Sequence, residues 1–113
     1  MVTIEELRKY GANVDEGLGR CFNNEAFYLK LVGMIKDEKN FDSLSQSLAA
    51  HDLDAAFEAA HALKGVLGNL SLTPAYDKVC EITELLRVRT DIDYSDRLAA
   101  IMEEQRILKE MCE

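Results

Sequence analysis

Asp52-Leu53-Asp54-Ala55-Ala56-Phe57-Glu58-Ala59-Ala60-His61-Ala62-Leu63-Lys64-Gly65-Val66-Leu67-Gly68-Asn69-Leu70 carries the pattern that decides the fold. Leu53, Ala56, Phe57, Ala60, Leu63, Leu67 and Leu70 recur at the spacing of a helix with one apolar face. Asp52 stands where an N-cap is wanted. With side chains stepping by ~100° per residue, the centre of that stripe lies about 120° from His61. His61 is therefore expected at the edge of the buried stripe. By the same step Lys64 falls near −60°, Gly68 near about −20° and Gly65 near about +40° from His61. One face thus offers an imidazole, an ammonium beside it and two positions without a side chain. A glycine inside a helix costs ~1 kcal/mol relative to alanine. Two on one face point to clearance for a partner's surface. For Gly68-Asn69 the alternative is a simple helix C-terminus, where glycine caps well. That alternative leaves Gly65 unexplained.

Outward from this stretch the chain reads as helices joined by short turns. Thr3-Ile4-Glu5-Glu6 is a capping box, so a short helix opens near Ile4 and ends before Gly11. A second short element is expected from Val14 to Arg20. A longer helix follows Asn24, with Phe27, Leu31, Met34 and Ile35 at helical spacing and Tyr28 and Val32 widening the stripe. The next starts near Asn40 and carries Phe41, Leu44, Leu48 and Ala49. Thr73-Pro74 signals another start, with Thr as N-cap and Pro at the first position. Its apolar residues are Ala75, Val79, Ile82 and Leu86. Asp93 can cap a last helix, whose stripe is Leu98, Ile101, Met102, Leu108 and Cys112. No segment alternates with the period of a strand. Long helices and short turns predict an all-α, antiparallel up-down four-helix bundle with one or two short extra N-terminal helices.

The chain has 113 residues, enough for one hydrophobic core, and is expected to form a single domain over 1–113. Apolar residues make up 48% and charged residues 30%, an ordinary globular balance. The net charge of −8 argues against nucleic acid or an anionic membrane as partner. Three cysteines, with no Cys-x-x-Cys spacing, signal neither a disulfide framework nor a zinc site. They suit a reducing compartment. No apolar run is long enough to span a membrane and no signal peptide opens the chain. A cytoplasmic, monomeric protein is expected.

His61-Ala62-Leu63-Lys64-Gly65, followed by Asn69-Leu70, resembles the signature of the histidine-containing phosphotransfer (HPt) domain of multistep phosphorelays. Ala49-Ala50-His51-Asp52-Leu53-Asp54-Ala55 resembles the short turn leading into the family's phosphorylated helix. Glu25 to Met34 resembles the helix before it, and Gly17-Leu18-Gly19-Arg20 with Asn23-Asn24 resembles the family's N-terminal part. Ser71 stands where the family often has glycine or another small residue, and Val66-Leu67 is bulkier than its usual small pair. The resemblance implies that His61 accepts a phosphoryl group from a receiver-domain aspartate and passes it to another receiver. It implies receiver domains of hybrid sensor kinases and response regulators as partners. Mg²⁺ and the acidic pocket would belong to that partner, so this chain needs no cofactor of its own.

The residues themselves suit nucleophilic chemistry. A free imidazole has a pKa of ~6.5 and, when neutral, keeps one ring nitrogen with an available lone pair. Lys64, nearly one turn on, can neutralise phosphoryl oxygens as charge develops. Gly65, Gly68 and Asn69 would form the docking face. The chain has no phosphate loop and no nucleotide-binding glycine fingerprint, so autonomous kinase activity is not expected. Two other readings stand beside this one. Glu58-Ala59-Ala60-His61 has the Glu-x-x-His spacing of di-iron bundles, but Leu48 stands three residues before the other histidine, His51, so a second pair is lacking. A helical docking or adaptor module that is never phosphorylated would use the same exposed face.

Overall fold

A computed structural model describes residues 1–113. Seven α-helices and one 3-10 turn make up the chain, with no strand: α1 (Ile4–Tyr10), α2 (Val14–Arg20), α3 (Glu25–Gly33), the turn Met34–Asp37, α4 (Asn40–Ala49), α5 (Leu53–Asn69), α6 (Thr73–Arg87) and α7 (Ser95–Cys112). Local chemistry sets most of the starts. The Thr3 hydroxyl accepts from the Glu6 amide, the Asn13 side chain from Glu16, Asn24 from Phe27, and Asp52 from Ala55. Each satisfies an amide that the first helical turn leaves without a partner. Two starts differ from expectation. Thr73 is already helical, and its hydroxyl donates to the Ser71 carbonyl at 3.3 Å rather than accepting from the helix. Asp93 accepts from the Ser95 amide at 2.8 Å, with Tyr94 in the cap position.

The ends of α4, α5 and α6 share one device. His51, Ser71 and Arg89 each take a positive φ, of 55°, 55° and 54°. The following amide in each case bonds back five residues: Asp52 to Ser47, Leu72 to Leu67 and Thr90 to Leu85. These are Schellman ends built without glycine. At Ser71 the positive φ gives a physical reason for glycine at the corresponding family position.

Helix α5 lies between α4 and α6, α6 packs on α7, and α7 closes against α4, completing an antiparallel four-helix bundle. Phe41, Leu44, Ala56, Ala60, Leu63, Leu67, Val79, Ile82, Leu86, Ile101 and Leu108 fill its core. Within α5 the expected stripe is buried at Ala56, Ala60, Leu63 and Leu67, while Leu53 and Phe57 lie half-buried at its margin. Elsewhere the stripes are displaced. In α3 and the turn after it, Tyr28, Val32 and Ile35 are buried, whereas Phe27 and Met34 are exposed. Tyr28, Val32 and Ile35 keep the i, i+4, i+7 spacing of one helical face into the 3-10 turn that starts at Met34, so the buried face is narrower than the expected stripe and leaves Phe27 and Met34 outside it. In α7 Leu98 and Met102 are only half-buried, and Glu104 and Gln105 are inside. Glu104 is tolerated because it is paired: the Tyr10 hydroxyl donates to one carboxylate oxygen at 2.6 Å and the Lys78 ammonium to the other.

The N-terminal helices are fastened to the turn after α5. The buried Tyr28 hydroxyl donates to the Leu70 carbonyl at 2.8 Å. The Asn13 amide donates to the Ser71 carbonyl at 2.9 Å, and the Ser71 hydroxyl to Glu16 at 2.8 Å. Helix α2 comes close because Gly17 has no side chain; a Cβ there would stand 2.6 Å from the Tyr28 ring. Cys21 and Cys112 are buried, Cys80 is half-buried, and all three are unpaired. No helix is long and apolar enough to cross a membrane.

Gly17 and Gly19 provide a matched test of this docking. Gly17→Ala is expected to destabilise the chain by ~1–3 kcal/mol through overpacking against Tyr28. Gly19, with nothing within 4 Å of an added Cβ, should accept alanine without loss. Urea denaturation of both variants measures the difference, and equal stabilities would rule out the close α2–Tyr28 packing.

Candidate functional site

His61 lies in the middle of α5, with its side chain in solvent, where the stripe geometry places it. The buried Ala60 and Leu63 on either side anchor the helix, so the imidazole stands on a rigid base. His61, Lys64, Gly65, Gly68 and Asn69 all line one open groove of about 600 Å³. Its second wall is Ser71, Thr73, Tyr76 and Asp77 from the start of α6 and the turn before it. Asn13, the N-cap of α2, and Glu16 and Arg20 within that helix complete the lining. Most of the lining residues carry polar or charged groups, which suits a charged group better than a wholly apolar ligand.

The two glycines differ in their surroundings. An added Cβ at Gly65 would meet nothing within 4 Å. At Gly68 it would stand 2.9 Å from the edge of the Tyr76 ring. Gly65 is thus bare toward solvent beside His61, while Gly68 makes room for a side chain of this same molecule. Gly68 is also not the residue that ends α5. The helix runs on through Asn69, and the left-handed residue is Ser71.

Lys64 is half-buried, and its ammonium reaches toward α6, where Glu84 lies 3.9 Å away. Glu84 also accepts from Arg87 Nε at 2.9 Å. The Arg87 hydrogen bond, helped by the nearby charges of Arg87 and Lys64, holds the Glu84 carboxyl below the usual range. Glu84 therefore stays ionised and aims Lys64, but at 3.9 Å it grips it loosely. On the other side of His61 the Phe57 ring stacks on the imidazole, with centroids 5.7 Å apart and planes inclined by 24°. The guanidinium carbons of Arg87 and Arg89 lie 5.2 and 5.0 Å from the Phe57 centroid. His51 is distant from this arrangement in role. It ends α4 and faces Asp91 at 3.4 Å, both exposed.

Phe57, Glu84, Arg87, Arg89, Tyr76 and Arg20 were not among the expected site residues. Phe57 carries a local signal, since it precedes His61 by four residues and so shares its face. Glu84 and Arg87 form an i,i+3 pair, but nothing local aims that pair at α5. Arg20 reaches the groove only because α2 folds back over the turn after α5.

A family model of the Hpt domain matches residues 37–113. The chain belongs to that family. No curated protein and no solved structure matches it. The match begins after α3, and the helix that directly precedes α5 is α4. Glu25 to Met34, expected to be that preceding helix, instead forms α3 and the start of the turn after it, outside the matched residues. The helices before residue 37 nonetheless supply Asn13, Glu16 and Arg20 to the groove.

The different surroundings of the glycines predict opposite responses to one methyl group. Gly65→Ala is expected to stabilise the bundle by ~0.5–1 kcal/mol, the helix-propensity gain at an open site. Gly68→Ala must displace Tyr76 and should melt below the Gly65 variant. Thermal unfolding of the pair checks this, and the reverse order would contradict the placement of Tyr76.

Proposed function

We propose that the chain is a phosphoryl carrier, with His61 as acceptor, and that residues 1–113 act as one domain. The Hpt family makes a phosphorelay carrier the expected role. The observation that carries the assignment to His61 is its position: exposed, mid-helix, in one groove with Lys64 and the bare Gly65. A ring nitrogen of the neutral imidazole attacks the phosphorus of an aspartyl phosphate held by a receiver domain. The P–N bond forms as the P–O bond breaks, and its electron pair leaves on the aspartate carboxylate. The second transfer is the reverse, onto another receiver's aspartate. Mg²⁺ and the acidic pocket belong to the receiver. Lys64, loosely held by Glu84, neutralises phosphoryl oxygens at the shared site. Gly65 gives the receiver's loops access to the imidazole, and Gly68 and Asn69 extend the docking face. On this reading the protein works in the cytoplasm, as a monomer, between receivers of hybrid kinases and of response regulators.

Incubation with a phosphorylated receiver, followed by mapping of the acid-labile phosphate, tests the acceptor. Label is expected on His61 and absent from His61→Gln. Label at His51, or label surviving in His61→Gln, would overturn the assignment to His61, whereas no label on a chain that still binds the receiver would favour a docking module.

Lys64→Ala is expected to slow transfer only severalfold, because a solvent-screened charge pair is worth about 0.2–1 kcal/mol. An unchanged transfer rate and phosphohistidine lifetime would remove Lys64 from the mechanism. Gly65→Gln is expected to melt close to wild type while transfer falls steeply. A folded Gly65→Gln that accepts phosphate at the wild-type rate would dismiss the docking role of this face.

A further inference from the structure

The geometry points to Phe57 as a positioning residue for His61, clamped in turn by Arg87 and Arg89. This rests on His61 being the acceptor, and concerns how its ring is held. An exposed histidine on a helix ordinarily turns about both side-chain torsions. Transfer requires its nitrogen lone pair in line with the breaking P–O bond, so ring orientation enters the rate directly. Phe57 sits one turn before His61 and covers one side of the imidazole, at 5.7 Å between centroids and 24° between planes. That offset-stacked arrangement favours a narrow range of ring angles.

Phe57 is itself prevented from swinging away. It is half-buried at the margin of the core. Guanidinium groups at 5.2 and 5.0 Å from its centroid are attracted by the ring's negative face. Both arginines are fixed by other bonds. Arg89 Nη1 donates to the carbonyls of Leu86 and Arg87 at the end of α6, and its Nε donates to Asp54. Arg87 Nε donates to Glu84. The end of α6 therefore reaches the imidazole through one aromatic ring. Glu84 belongs to both sides of the site, since it also faces Lys64. Three side chains of α6 and its end, Glu84, Arg87 and Arg89, thus set the lysine on one flank of His61 and the phenylalanine on the other.

The test compares Phe57→Leu with Phe57→Tyr in the full chain. Leucine keeps an apolar group at the core margin and removes the stack, whereas tyrosine keeps the ring. Three readouts are taken: melting temperature, transfer rate from a phosphorylated receiver, and the NMR shifts of the His61 ring protons. The stack should move those protons upfield. Phe57→Leu is expected to melt near wild type, lose the upfield shift and transfer roughly two- to tenfold more slowly. Phe57→Tyr should restore both. If leucine melts early, Phe57→Met, whose longer and more flexible side chain can fill an irregular gap at the core margin, takes its place. A folded Leu or Met variant with wild-type transfer rate, or ring-proton shifts unchanged from wild type, overturns the proposal. So does a tyrosine variant as slow as leucine. A wild-type chain that takes no phosphate defeats the carrier reading alone. The ring-proton shifts then still decide whether Phe57 orients His61.

Discussion

At the end of α5 the Leu72 amide bonds back to the Leu67 carbonyl, and Ser71 takes a left-handed conformation. That turn exposes the Leu70 and Ser71 carbonyls and the Ser71 hydroxyl to the N-terminal helices. Tyr28, Asn13 and Glu16 take one each. Three bonds, spread over α2, its preceding loop and α3, therefore converge on two consecutive residues. Because the Tyr28 bond is buried, its loss would strand a carbonyl away from water. The orientation of α6 follows from the same turn, and so does the placing of Tyr76 over Gly68. Arg20 arrives at the groove by the same route. The groove is thus framed by a junction that lies ten residues beyond His61.

Electrostatics act within this frame as a chain of shared partners. Glu84 is common to Lys64 and Arg87, while Arg87 and Arg89 share Phe57. None of these exposed pairs is worth much to stability alone. Together they restrict long side chains that would otherwise sample many rotamers. The Tyr10–Glu104–Lys78 group, centred on a buried carboxylate, has a different role. Glu104 is almost fully enclosed, so its two donors offset the cost of removing a carboxylate from water. The Tyr10 hydroxyl also accepts from the Ala75 amide, and together with desolvation Glu104 pushes its pKa well above the ordinary value. This group ties α1 to α6 and α7.

Features set by neighbouring residues were legible in the sequence. The caps at Thr3, Asn24 and Asp52 need only a side chain and an amide three residues on. The α5 stripe has enough turns to average over irregularities, so the edge position of His61 could be read correctly. Features set by distant contacts were not legible. Nothing local marks His51, Ser71 and Arg89 as left-handed, because that conformation is imposed where helices must reverse. The burial of Glu104 depends on Tyr10, ninety-four residues away in sequence. In the short α3 only Tyr28 and Val32 are buried, and so few turns leave the centre of an apolar stripe poorly defined, which is why Phe27 and Met34 fall outside it. Gly65 and Gly68 looked equivalent by angle. Only the return of α6 distinguishes an open glycine from one beneath Tyr76.

His61 stands well inside α5, far from the cap at Asp52 and from the turn at Ser71. Its backbone already belongs to a continuous helix seated on Ala60 and Leu63. A phosphoryl group added there would bring about two negative charges but no hinge to bend and no loop to order. The side chains placed to register the event are those beside it, Lys64 and Phe57 with their partners at the end of α6. Occupancy would be written as local charge rather than as shape, so it could be read only by a partner that touches the groove itself. A protein built this way hands on a mark without interpreting it.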